Sequence, residues 1–179
     1  MASYNFLSKQ VENKNYLSPV GFKFNLTKTP KVDFFSNSAK IPGITLGGAK
    51  VGNYLKAIDV PGDNIEFEDL TLQFIVDEDL ENYMEIHNWI YGLGYPDSVE
   101  QFQDLITKED GAKDYKEQYC DGTLAILNSN FNVSARVKFR DLYPTALSAL
   151  EFTASDQDYT YFTATATFKY LIYTIEVET

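Results

Sequence analysis

Residues 131–140, FNVSARVKFR, alternate without a break: Phe131, Val133, Ala135, Val137 and Phe139 are apolar, and Asn132, Ser134, Arg136, Lys138 and Arg140 between them are polar. A period of two puts one set on a buried face and the other in water, the pattern of a half-buried strand. Residues 160–175, TYFTATATFKYLIYTI, repeat it, with Phe162, Ala164, Ala166, Phe168, Tyr170 and Ile172 set against Thr163, Thr165, Thr167 and Lys169. Read as one strand, this segment exceeds the usual strand length. Its Thr-rich face predicts a sheet that meets water on one side. Between the two segments, Tyr143-Pro144-Thr145 reads as a turn, with a further extended stretch over Ser148–Thr153.

The same period appears towards the N-terminus. Phe22, Phe24 and Leu26 alternate with Lys23, Asn25 and Thr27, and Thr29-Pro30 closes that strand. A second strand is expected over Val32–Ile41, closed by Pro42-Gly43. Ile44–Val60, ITLGGAKVGNYLKAIDV, is extended, with Gly47, Gly48 and Gly52 marking a hairpin tip or loop, and Pro61-Gly62-Asp63 reads as a turn. Leu70, Leu72, Phe74 and Val76 then share a strand face. Asp77-Glu78-Asp79 opens a helix whose Leu80, Tyr83, Met84, His87, Ile90 and Tyr91 recur at three and four, stopped by Gly92, Gly94 and Pro96. A second, more polar helix fits Asp97–Thr107, and Lys108–Asp121 reads as a charged surface excursion. Residues 1–18 are polar, an arm or docking segment, and 19–179 read as one domain. The expected class is mainly β: two packed antiparallel sheets, a sandwich or half-barrel, with one flanking helix.

Composition narrows the function. The chain of 179 residues carries 26 acids against 15 Lys and Arg, a formal charge of −11. That balance disfavours a protein that grips nucleic acid through its phosphates. One Cys (Cys120) and one His (His87) give no internal disulfide and no zinc site without outside help. The apolar runs are too short to cross a bilayer and no secretory leader is visible, so a soluble protein of a reducing compartment is expected. Leu46-Gly47-Gly48 and Gly92-Leu93-Gly94 lack the lysine or the full glycine pattern of a phosphate cradle. His87 lies on the helix stripe and Cys120 in the polar excursion, a core histidine and a bystander thiol. Half of the acids fall between Lys56 and Lys108, where there is no Lys or Arg. They make a solvated face, a surface towards a polyanion, or a patch for a basic partner; Asp77-Glu78-Asp79 lacks the calcium-loop spacing. No catalytic residue, cofactor or metal is expected, and the chain does not read as an enzyme.

The order of these elements has a counterpart. Ala57–Gly94, AIDVPGDNIEFEDLTLQFIVDEDLENYMEIHNWIYGLG, resembles the tail tube proteins of contractile-tailed bacteriophages in its Gly62-Asp63 turn, its Phe67–Phe74 strand, its acidic helix start and Trp89. The second half is similar as well: a strand, Leu142-Tyr143-Pro144, the acidic loop Ser155-Asp156-Gln157-Asp158, then a long final strand. SPVGFKFNL resembles the family's opening strand, and the likeness runs over residues 19–175. The resemblance implies six-fold rings whose inner sheets join into one barrel, stacked into a hollow conduit for DNA ejection. Its implied partners are further copies, the tail sheath, and baseplate or neck proteins. It implies a virion component assembled in the host cytoplasm, with no membrane.

On that resemblance the Gly-rich hairpin falls where rings touch, naming Ile44, Gly47, Gly48, Val51 and Tyr54. An acidic lumen would let DNA slide. Lumen candidates are Thr71 and Gln73, then Glu66, Glu68 and Asp69. Asp97, Glu100 and Asp104 are candidates for a face that holds the sheath. Two alternatives stand beside the repeating tube ring. One is a minor ring of the same fold, a baseplate initiator or a tail terminator or completion protein. The other is a β-sandwich module that binds carbohydrate or a receptor, which needs Trp89 and a Tyr cluster exposed on one face, whereas helix spacing puts Trp89 near the buried stripe.

Overall fold

The computed structural model describes residues 17, 21–29, 36–52, 54–107, 112–153 and 161–177. Most of the arm (Leu17 apart), the Pro30 stop, the start of the Val32 strand, residues 108–111 and the acidic loop 155–158 lie outside them. The strands are β1 (Phe22–Leu26), β2 (Ser36–Ala39), β3 (Ile44–Val51), β4 (Ile58–Phe67), β5 (Leu70–Ile75), β6 (Cys120–Leu127), β7 (Val133–Leu147), β8 (Thr163–Lys169) and β9 (Ile172–Val177). The helices are α1 (Glu81–Gly94) and α2 (Val99–Ile106), with a 3-10 turn at Tyr115–Gln118.

Two antiparallel sheets share one strand. The N-terminal part of β7 lies between β6 and β9, with β1 beyond β6, and this makes the first sheet. Its C-terminal part pairs with β8, followed by β5 and β2, and this makes the second. The alternation at Val137, Phe139, Ala164, Ala166 and Phe168 buries as expected, and these residues join Phe24, Leu26, Leu70, Leu72 and Phe74 in one core. Burying a large apolar side chain stabilises by roughly 1.5–3 kcal/mol.

Several expectations are corrected. The single strand over 160–175 is two, β8 and β9, interrupted at Tyr170-Leu171. The cause is a corner shared with β7: Asp141 takes φ 54, and the Leu171 N–H donates to the Arg140 carbonyl at 3.0 Å, so both strands turn together from one sheet to the other. Tyr143-Pro144-Thr145 is not a turn but part of β7, at a register shift between Pro144 and Ala146. Proline is tolerated there because β6 ends opposite Leu142, leaving β7 a neighbour on one side only among the described strands. Ser148–Thr153 forms no strand. Pro61-Gly62-Asp63 lies inside β4, where the ladder with β3 slips between Leu46 and Gly48.

Two helices flank the sheets, the second lying within Asp97–Thr107, where the sequence places its more polar helix. Asp77–Asp79 form the turn ahead of α1, because the Asp77 carboxylate accepts the Glu78 N–H at 2.8 Å and holds the chain in a local turn. The buried face of α1 is Asn82, Ile86, Trp89 and Gly92, so Leu80, Met84 and Tyr91 of the expected stripe are exposed. Buried Asn82 donates to the Ile75 carbonyl at 2.8 Å and accepts the Asp77 N–H at 3.2 Å, tying the helix start to the end of β5. Gly92 does not stop the helix; a Cβ there would meet Leu105 of α2 at 3.1 Å, so it is the point where the two helices approach.

Candidate assembly surfaces

The β3–β4 hairpin pairs only with itself among the described strands, forming a two-stranded ribbon. Its cross-strand pairs are largely apolar: Ile44 with Phe67, Leu46 with Ile65, Ala49 with Val60, and Val51 with Ile58. Ile44, Leu46, Val51, Ile58 and Ile65 are nevertheless exposed, and Tyr54 near the tip is 98% exposed. Gly47, Gly48 and Gly62 make the slipped ladder possible. A Cβ on Gly62 would stand 2.7 Å from the Gly47 carbonyl oxygen, so the strands cross there only with glycine.

The base of the ribbon is fixed to the body. Phe67 meets the ring of Tyr173 at 5.6 Å and that of Tyr170 at 6.1 Å. The Tyr170 hydroxyl donates to the Glu68 carbonyl at 2.8 Å, and the Tyr173 hydroxyl to the Pro42 carbonyl at 3.1 Å. Burial pushes the Tyr170 phenol up to about 12, with the charges of Tyr173, Asp69 and Glu68 adding to it, so it remains a donor at physiological pH. The Glu68 carboxylate accepts from Lys40 Nζ at 2.8 Å and from the Gly43 N–H at 3.2 Å. The Lys40 hydrogen bond, then the Gly43 N–H, hold it below the usual carboxylate range.

The structure separates the acidic candidates. Glu66, Glu68 and Asp69 sit at the ribbon base, where Glu66 accepts from Asn64 Nδ2 at 3.2 Å. Asp97, Glu100 and Asp104 are exposed on and before α2. Thr71 and Gln73 lie elsewhere again, on the outer face of the second sheet opposite Thr167 and Thr165. That row carries hydroxyl and amide groups and no charge. The slipped ladder and the ribbon's exposure were not legible in the sequence; its Gly-rich composition was the available signal.

Trp89 is 2% exposed, 6.3 Å from Phe168, with the Lys28 ammonium 5.2 Å over its ring and its Nε1 donating to the Gln118 carbonyl at 3.0 Å. It offers no stacking platform for a sugar, which removes the tryptophan from the features on which the carbohydrate module rested. Burial pushes the Cys120 thiol up to about 11, which leaves it a poor nucleophile at neutral pH. His87 stacks on Tyr91 along α1. No cluster of three His, Cys, Asp or Glu able to hold a metal occurs among the described residues, and no helix among them is long and apolar enough to cross a membrane.

Comparison with known proteins agrees with the two-sheet architecture. The tail tube terminator protein of Enterobacteria phage T4 is 27% identical over 117 residues, which are 65% of this chain and 60% of that relative, so the match spans under two thirds of its length. Among solved structures, the tube terminating cap of the anti-feeding prophage superposes with a TM-score of 0.63 at 14% identity, covering 97% of this chain and 99% of the cap. A sheath/tube terminator structure from an extracellular contractile injection system (PVC) gives 0.55 at 16% identity, covering 92% and 100%. The family model for phage tail tube protein matches residues 5–176. With nearly its whole length inside that match, the chain belongs to the phage tail tube protein family.

Proposed function

We propose that the chain is a terminal ring of a contractile tail's tube, a terminator, in preference to the repeating subunit that the sequence put first. One observation carries the choice: the T4 relative that matches in sequence and the prophage cap that matches over almost the full chain are both tube-ending proteins. In this reading the role is structural, the copies form a closed ring, six by the family resemblance, and the ring is part of the virion.

The geometry suits such a ring. A two-stranded ribbon is marginal in water by itself, and apolar pairs left open along it favour an assembly partner. We assign it the contact with the adjoining ring through Ile44, Val51 and Tyr54, with Gly47 and Gly48 shaping it. The uncharged Thr71, Gln73, Thr165 and Thr167 suit a bore through which DNA slides, with Lys169 at the end of β8 the one cation on that face of the strand. The carboxylates of Asp97, Glu100 and Asp104 suit a basic partner such as a sheath or neck protein.

Electron microscopy of the purified protein over a range of concentrations, with light-scattering mass, tests the reading. Single rings that do not lengthen are expected. Long tubes of stacked rings would return the chain to the repeating role, and a monomer at every concentration, with or without tail partners, would sink both.

A further inference from the structure

The two faces of the first sheet differ in charge as well as in burial. Between the rows that meet the core lie rows that point away from it: Lys23–Ala125–Arg136–Glu176, Asn25–Thr123–Lys138–Thr174, and Arg140 beside Ile172. Lys23, Lys138 and Arg140 are exposed and Arg136 is half-buried. Among the described residues the acids on this face are Glu176, 2.7 Å from Lys138, and Asp121 at the slip beside Arg140. Four of the chain's 15 Lys and Arg meet on one face of a protein whose formal charge is −11. The opposite charge gathers elsewhere. Glu78, Asp79 and Glu81 are exposed at the start of α1, in the stretch between Lys56 and Lys108 that has no Lys or Arg.

We propose that this cationic face docks the Glu78, Asp79 and Glu81 surface of a neighbouring copy, and that the contact closes the ring. The proposal rests on the ring reading above. Copies that each carry −11 repel one another, so an interface between them is favoured where cations of one meet acids of the next. Their placement keeps these two surfaces apart within one copy. Ile86 and Trp89 of α1 join the core cluster with Phe24, Val137 and Phe139, so α1 lies on the core side of the sheet and the cations on its other side. The acids also follow the end of β5, where Ile75 faces Thr163, while the corner at Tyr170-Leu171 is at the other end of β8. The 7 residues of β8 set them about 20 Å beyond that corner. Two unlike surfaces turned away from each other make a head-to-tail contact, the kind that closes rings by rotation.

Zero-length carbodiimide coupling of the assembled protein, made from equal parts of isotopically light and heavy chains, tests the contact. Mixed light–heavy peptides that join Lys23 or Lys138 to Glu78, Asp79 or Glu81 are expected. The reversal Lys23→Glu with Arg140→Glu, and separately Glu78→Lys with Asp79→Lys, should each weaken assembly at least about tenfold by light-scattering mass, with the unfolding midpoint unmoved. Combining all four substitutions should restore assembly, which a merely structural role for these side chains would not allow. The cross-link needs no variant, so a reversal that misfolds leaves the test intact. Cross-links from Lys23 and Lys138 only to acids of the same chain would overturn the proposal, as would a fourfold variant that stays apart. Binding of short duplex DNA that the Lys23 and Arg140 reversal abolishes, with assembly intact, would give the face to phosphate instead. Rings that form normally in both reversals would sink this inference alone. A wild-type chain that never assembles would sink the ring reading and this one with it.

Discussion

The β7–β8 ladder and the β3–β4 ribbon are both antiparallel, and both set apolar residues opposite one another. In the first, Pro144 faces Phe168 and both are buried. In the second, Leu46 faces Ile65 and both are exposed. Pairing is therefore a property of the strands, while burial depends on what else the chain brings to the face. The difference separates the residues that hold the subunit together from those left over for contacts outside it.

The comparison breaks most sharply at Phe139, which is 1% exposed. Phe139→Ala is expected to destabilise by about 3–5 kcal/mol, read from the midpoint of denaturant unfolding; a loss under 1 kcal/mol would mean that the sheets are not packed through it. Asn82→Ala comes next, at about 1–3 kcal/mol, because two backbone groups at the β5–α1 junction lose their partner. The double variant Leu46→Ser with Ile65→Ser should move unfolding by no more than about 0.5 kcal/mol. It should nevertheless abolish contact with an adjoining ring, seen as loss of co-sedimentation with tail tubes. Unchanged co-sedimentation would show the ribbon to be idle.

The smallest effect expected is at Glu68. Its folded pKa lies below the ordinary 4.5, so its contribution is complete above that value and is lost as pH falls through the folded one. Exchange at the Gly43 amide in wild type and in Glu68→Gln should differ at pH 6 and converge once the carboxyl is protonated. A difference that persists in acid would assign the effect to shape instead of charge.

The alternation at 133–139 and at 163–168 was legible because one face of each segment is buried, and that constraint writes itself into every second residue. The corner at Asp141 and Leu171 was not legible: alternation continues across it, and no Gly marks a bend that is imposed by two strands turning together. Pro144 misled for a related reason, since whether a proline breaks a ladder depends on which neighbours exist beyond it. On α1 the periodicity identified a helix and put Trp89 inside, yet it missed Asn82, whose burial depends on carbonyl and amide partners from β5. The acids were legible as an excess without cations. Their division between the ribbon base and α2 depends on the fold, and the role of each depends on the assembly.

The shared corner has a mechanical consequence. In a sandwich joined only by side-chain packing, a pull on one layer is resisted by weak contacts that can slip. Here β7 runs on from one layer into the other, and β8 and β9 follow it with two intervening residues. Tension that reaches either sheet is carried into its neighbour along peptide bonds, so shear between the layers meets covalent stiffness. A chain built this way takes load as one stiff body, without its two sheets sliding apart.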